Sequence, residues 1–151
     1  MKVLFVSTEV DPFIKTGGLA EVAYALPKAL KAMGVDVRVI MPKYGDISQN
    51  YTTKMSQIVS FGVSVGWRNQ YCGLEYLKYE DIPVYFIDNE YYFKRPGCYG
   101  YFDDGERFAF FSKCVLDIMP HIDFYPDVLH ANDWQTALSV IYLRCNYAYI
   151  E

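Results

Sequence analysis

Residues 2–41, KVLFVSTEVDPFIKTGGLAEVAYALPKALKAMGVDVRVIM, decide the fold, because they read as strand, helix and strand in a single run. Lys2 to Ser7 is a short apolar strand ended by a polar loop, and Asp36 to Met41 (DVRVIM) is a second, closed by Pro42. Between them Leu19, Val22, Ala23, Leu26, Leu30 and Met33 recur at helical spacing, Gly34 supplies a stop, and Pro27 predicts a bend in the middle. Such a unit crosses over right-handedly, and it opens a doubly wound, Rossmann-like, mostly parallel α/β sheet.

Working outward, the pattern changes from Ile58, where Val59, Phe61, Val63 and Val65 alternate with Ile58, Ser60, Gly62 and Ser64. That period of two predicts a half-exposed antiparallel strand. Gly66-Trp67-Arg68-Asn69 turns the chain into a second run, Gln70 to Tyr79, so a β-hairpin is inserted in the α/β order. Pro83 to Asp88 (PVYFID) resumes core-strand character, and a long loop rich in Tyr, Gly and Asp follows from Asn89 to Gly105. Asp103 with Glu106 predicts a helix start of capping-box type, with Phe108, Phe111, Val115 and Ile118 as the buried stripe and Pro120 as the end. Asp127 to Ala131 (DVLHA) is one more strand. Asn132 or Asp133 then caps a last helix whose apolar face is Trp134, Ala137, Leu138, Ile141 and Cys145.

Composition narrows the function classes. The chain has 151 residues, the size of one domain, and 52% hydrophobic against 21% charged residues excludes disorder. Mean hydropathy near zero argues against a membrane protein. Net charge is −4 and the 14 Lys and Arg are scattered, so neither nucleic acid nor an anionic membrane is an expected partner. Cys72, Cys98, Cys114 and Cys145 lie far apart with no C-x-x-C pair, which predicts buried free thiols and neither a metal site nor a redox motif. The amino terminus enters its first strand without a secretory signal, and a cytoplasmic location is expected.

In a doubly wound sheet ligands bind beyond the carboxyl ends of the strands. Lys15-Thr16-Gly17-Gly18 joins the first strand to the first helix and sets a cation and two glycines where amide N–H groups and the helix dipole can meet an anion. A flexible turn with a solvated lysine fits the same short pattern. The loop is not a dinucleotide fingerprint, since G-x-G-x-x-G is absent and Met41-Pro42-Lys43 stands where a ribose-binding acid belongs. Nor is it a P-loop. Glu21 reads either as half of a capping box or as an acceptor for sugar hydroxyls.

KTGGLAEV with Ala25-Leu26-Pro27 behind it resembles the amino-terminal signature of bacterial glycogen synthases and plant starch synthases, glycosyltransferase family 5. MKVLFVSTEVDPFIKTGGLAEVAYALPKAL, GVDVRVIMPKY, RPGCYGYFDDGERFAFFSKCVL and PDVLHANDWQTAL are similar to successive blocks of that family, in its order. The resemblance implies a retaining glucosyltransferase of GT-B architecture. Such an enzyme transfers glucose from ADP-glucose to the non-reducing end of an α-1,4-glucan, with no cofactor or metal.

By the same resemblance, Lys15, Gly17 and Gly18 contact the nucleotide-sugar, and Glu21 replaces the commoner aspartate with one methylene more. Asp133, in HANDW, matches the aspartate of the family's H-x-x-D-W block in the active-site cleft, and it is also a helix cap. His130 is expected to be structural and Trp134 to be core, while Tyr99, Tyr101 and Phe102 are aromatic candidates for stacking on sugars. The resemblance further implies that residues 1–151 are an incomplete amino-terminal domain, inactive without a carboxyl-terminal nucleotide-sugar domain. An exposed apolar edge and self-association would follow. The competing expectation is a standalone doubly wound module that binds an anion or sugar without catalysis.

Overall fold

The computed structural model describes residues 1–149. Its elements run β1 (Lys2–Val6), α1 (Gly18–Ala32), β2 (Asp36–Pro42), the short α2 (Gln49–Thr52), β3 (Ser56–Val65), β4 (Arg68–Tyr79) and β5 (Ile82–Asp88). The short α3 (Glu90–Phe93), α4 (Asp104–Asp117), β6 (Val128–Ala131) and α5 (Ala137–Asn146) follow, with 3-10 turns at Met119–Ile122 and Trp134–Thr136. All six strands form one sheet in the order β3-β4-β5-β2-β1-β6. The segment β5-β2-β1-β6 is parallel, and β3 and β4 add to it antiparallel.

β1 and β2 form where the apolar runs predict, because strands covered on both faces are apolar almost throughout. Leu4, Phe5, Val6, Ile40 and Met41 are fully buried. α1 carries the chain from β1 to β2 in one direction, and α4 carries it from β5 back across to β6 in the other. Right-handed crossovers therefore place α1 on one face and α4 on the opposite one. The α4 stripe of Phe108, Phe111, Val115 and Ile118 is buried as its periodicity predicts, each phenylalanine contributing about 1.5–3 kcal/mol.

The hairpin is not a separate insert. It widens the main sheet, with Leu74 of β4 opposite Ile87 of β5. Its turn is also tighter than expected: Gly66, at φ 59°, and Trp67 alone make the bend, and Arg68 and Asn69 already pair with Val65 and Ser64. A second tight turn joins β4 to β5 through Glu80 and Asp81, both at positive φ as a type I′ turn requires. α1 is lashed to it. Tyr24 and Lys28 donate to the Glu80 carboxylate at 2.6 and 3.1 Å, and Lys31 donates to the Asp81 carbonyl.

Three helix expectations are corrected. In α1 the buried side chains are Ala20, Ala23 and Pro27, whereas Val22 and Met33 face solvent. At the start of α4 there is no capping box, because the Asp103 carboxylate binds Arg95 and Glu106 binds the Tyr92 hydroxyl at 2.7 Å. A phenolic partner from α3 and a charged one from the loop that follows it outcompete the backbone amides for the two acids.

α5 departs most. Its inward-facing residues are Ser139 and, from the preceding turn, Gln135 and Thr136, while Trp134, Val140, Ile141 and Leu143 are exposed. Cys145 is exposed too, unlike the other three cysteines, though all four are free thiols. The physical reason is lateral: among the described residues β6 pairs only with β1, so the sheet they form ends there and α5 packs inward on α4 through small polar residues. Ser112 of α4 donates to the Gln135 carbonyl at 3.2 Å, a contact that larger side chains would hold apart.

Candidate functional site

The winding direction reverses between β1 and β6, so the topological switch point, where doubly wound sheets open a crevice, lies beyond the carboxyl ends of these two strands. Two segments border it, the loop of residues 7–17 after β1 and Asn132-Asp133 after β6. Asn132 ties them together at their base. Its backbone N–H and its side-chain amide both donate to the Val6 carbonyl, at 3.2 and 2.9 Å.

On the first wall, Gly17 is the N-cap of α1 and Gly18 its first residue. Gly17 has no side chain to cap with, and the amides of a first helical turn have no intrahelical acceptor. A Cβ built on either glycine would meet nothing within 4 Å, so no atom of the chain itself requires glycine at these positions. Lys15 stands beside them, ion-paired with Glu21 across the start of the helix. Their mutual hydrogen bond raises the lysine pKa and lowers that of the glutamate, so both are charged at neutral pH. Because the helix begins at Gly18, Glu21 lies one position beyond N3, and it serves no capping box.

On the second wall, Asp133 sits at φ 64°, ψ 176°, a region few residues other than glycine adopt and that costs about 1–3 kcal/mol. Its carboxylate accepts from the Trp134 N–H at 2.7 Å and caps the 3-10 turn that leads into α5, so the cap precedes the helix by one short turn. Trp134 is 56% exposed, contrary to the expectation of a core residue, and its ring meets Phe108 in a T-shaped contact with centroids 5.6 Å apart. His130 packs its ring on Phe5, centroids 4.6 Å apart, in the structural role expected of it. Of the three aromatic candidates only Phe102 is fully exposed. Tyr101 lies under the Arg95 and Arg107 guanidinium groups, and the Tyr99 hydroxyl is engaged inside.

Sequence reasoning missed the residue at the centre of the first wall. Glu9 is 3% exposed, and its carboxylate accepts from Thr16 N at 2.7 Å, Thr16 Oγ1 at 2.5 Å, Gly17 N at 3.2 Å and the Tyr99 hydroxyl at 2.8 Å. Burial pushes its pKa up, but the bonds from Thr16, Tyr99 and Gly17 outweigh burial and hold it below the usual carboxylate value. The Gly17 amide is thereby committed to Glu9, so among the described residues the amides of this helix start that lack an acceptor begin at Gly18 rather than at Gly17. The only signal in the sequence is an acid following Ser7 and Thr8 directly after a strand.

The predicted residues therefore lie on two walls. Lys15, Gly17, Gly18 and Glu21 share one helix start, Asp133 lies on the other segment, and among the described residues no hydrogen bond joins the two sets. A chain of contacts runs between the two walls, with Trp134 packed on Phe108, Phe108 on Tyr99, and the Tyr99 hydroxyl hydrogen-bonded to Glu9. Among the described residues no three His, Cys, Asp or Glu side chains gather as metal ligands, and no helix is long and apolar enough to cross a membrane. A cation, unpaired amides and open space over two glycines can receive an anion with polar substituents.

Known proteins share this arrangement of sequence and fold. The family described as the starch synthase catalytic domain matches residues 2–151. The chain is 61% identical to a glycogen synthase of Caldicellulosiruptor saccharolyticus over 149 residues, which is 99% of this chain and 31% of that protein. It is 58% identical to a glycogen synthase of Clostridium acetobutylicum over 148 residues, 97% of this chain and 31% of the relative. Among solved structures it resembles the catalytic domain of starch synthase IV from Arabidopsis thaliana bound to ADP and acarbose. That match has a TM-score of 0.88 at 28% identity and covers 97% of this chain and 31% of that one. The chain thus spans under a third of the curated relatives it matches, and it belongs to the starch synthase catalytic domain family.

Proposed function

We propose that this chain is the amino-terminal portion of a glycogen synthase, a retaining glucosyltransferase that moves glucose from ADP-glucose to the non-reducing end of an α-1,4-glucan. The observation that carries this reading is the open space over Gly17 and Gly18 at the start of α1, beside Lys15 and at the switch point of the sheet. Glycines that neither φ nor neighbouring atoms demand are explained by something that approaches from outside the chain. The similar Arabidopsis domain was solved with ADP, a diphosphate that matches the chemistry of such a helix start.

In the transfer, the bond between the glucose anomeric carbon and the diphosphate oxygen breaks, leaving negative charge on ADP and positive character on the sugar. The Lys15 ammonium and the amides from Gly18 onward stabilise the departing diphosphate. To do so, Lys15 exchanges its exposed partner Glu21 for the phosphate, an exchange between solvated charges of small cost. Asp133, held in a strained backbone conformation on the opposite wall, is the acid of this chain assigned to the sugar. Its backbone geometry is of the kind retained at sites of function.

Residues 1–151 then form an incomplete first domain, and a carboxyl-terminal domain supplies the remaining donor contacts. Two features support this: an edge of β6 that no strand among the described residues pairs with, and the outward apolar residues Val140, Ile141 and Leu143 of α5. β6 with α5 is the first half of a βαβ unit, whose next strand would pair with that edge. Cytoplasmic location belongs to the same reading, and four free thiols support it.

A chimera tests the proposal. This chain replaces the corresponding third of the Caldicellulosiruptor glycogen synthase, and transfer of glucose from ADP-glucose to glycogen is measured. Turnover by the chimera and none by the 151-residue chain alone is expected. Turnover by the short chain alone would refute the incomplete-domain reading, and an inactive but folded chimera would favour a binding module without catalysis.

A further inference from the structure

The Glu9 carboxylate gathers four donors from two parts of the chain. Three belong to the glycine loop, the Thr16 amide, the Thr16 hydroxyl and the Gly17 amide, and the fourth is Tyr99, ninety residues later in sequence. Since Tyr99 gives its proton to Glu9, its oxygen is left to accept from the Thr8 hydroxyl 2.8 Å away, so the network closes back on the end of β1. A buried carboxylate with this many satisfied bonds is a rigid anchor, and it stays ionised because every partner donates to it.

The anchor has two chemical effects on a ligand at the start of α1. It fixes the backbone of Thr16 and Gly17, and so the position of the first free amides that follow. It also withdraws the Thr16 and Gly17 amides from any incoming phosphate, which leaves Gly18 as the first amide an anion can reach. Resting on the donor-site reading above, we propose that Glu9 is a positioning residue that sets where the donor's diphosphate seats on α1, with Thr16 and Tyr99 as its partners.

The test uses the chimeric synthase, with ADP-glucose as the varied substrate. Glu9→Gln preserves shape but replaces one accepting oxygen by a donor, and it is expected to raise the KM for ADP-glucose about tenfold while kcat changes far less. Tyr99→Phe and Thr16→Val each remove one donor and leave the carboxylate in place, so each raises KM by about two- to fourfold. These two variants decide the matter if Glu9→Gln does not fold. In all three, the KM for glycogen stays unchanged, which a general loss of structure would not allow. A wild-type chimera that turns over with variants whose ADP-glucose KM does not move overturns this proposal alone. A wild-type chimera without turnover overturns the donor-site reading and this proposal with it.

Discussion

Arg95 grips Asp103 with two parallel hydrogen bonds, Nη1 to Oδ1 at 2.7 Å and Nη2 to Oδ2 at 2.9 Å. This bidentate pair closes the loop between α3 and α4, the same loop that carries Tyr99 to Glu9. Both side chains are mostly covered, at 19% and 25% exposure, so the pair is worth more than a surface contact, about 1–2 kcal/mol.

Its pH dependence has a definite sign. The hydrogen bonds from Arg95 lower the Asp103 pKa from the ordinary 3.8, so the pair's contribution is complete above that value and disappears as pH falls through the lower folded value. Denaturant melts of wild type and Asp103→Asn should therefore differ by about 1–2 kcal/mol at neutral pH and converge below pH 3.8. A gap that stayed constant into acid would show that the carboxylate charge is not what the loop uses.

The two glycines at the start of α1 separate folding from binding. Because an added Cβ meets open space at both, Gly17→Ala and Gly18→Ala should leave the unfolding free energy of this chain within about 0.5–1 kcal/mol of wild type, and Gly18→Ala should sit on the stabilising side. In the chimera the same substitutions should lower kcat/KM for ADP-glucose by at least about tenfold, since the methyl occupies the approach to the free amides.

Asp133 offers a test of stored strain. At φ 64°, ψ 176° a Cβ is in conflict with its own backbone, and glycine is not. Asp133→Gly should be more stable than Asp133→Ala by about 1–2 kcal/mol, although glycine is ordinarily the costlier replacement. Equal stabilities would place the strain elsewhere. Both variants lose the carboxylate and should abolish glucose transfer in the chimera.

The outward face of α5 predicts solution behaviour. Ile141 is 54% exposed among Val140 and Leu143, and this chain is expected to self-associate through that face at high concentration. Ile141→Lys should shift sedimentation toward the monomer without changing the melting temperature, because no buried contact is lost. A wild-type chain already monomeric at high concentration would show that the face is tolerated in water.

How far the sequence can be read differs from element to element. β1, α1 and β2 were legible because a parallel strand covered on both faces must be apolar, whatever its neighbours. The inward face of α5 was not, since periodicity marks which residues are apolar and cannot tell whether the surface they face is part of the same 151 residues. Lys15, Gly17 and Gly18 could be picked out as candidates because the chemistry proposed for them is local to one loop. Glu9 could not, because it reads as an ordinary loop acid until Tyr99 is folded against it. Glu21 was legible as a charge near a helix start, while its partner Lys15 emerged only from the path of the loop.

The lashing of α1 to the Glu80-Asp81 turn acquires a meaning once its other end is considered. Tyr24, Lys28 and Lys31 hold the helix along its length to the turn between β4 and β5, and Glu9 holds the residues at its start. The helix is tied at its start and along its second half, contacts that oppose sliding along the sheet or rolling on it. The amides at its tip thus have their position set during folding, and the proposed donor site would bind without a further cost of ordering this helix.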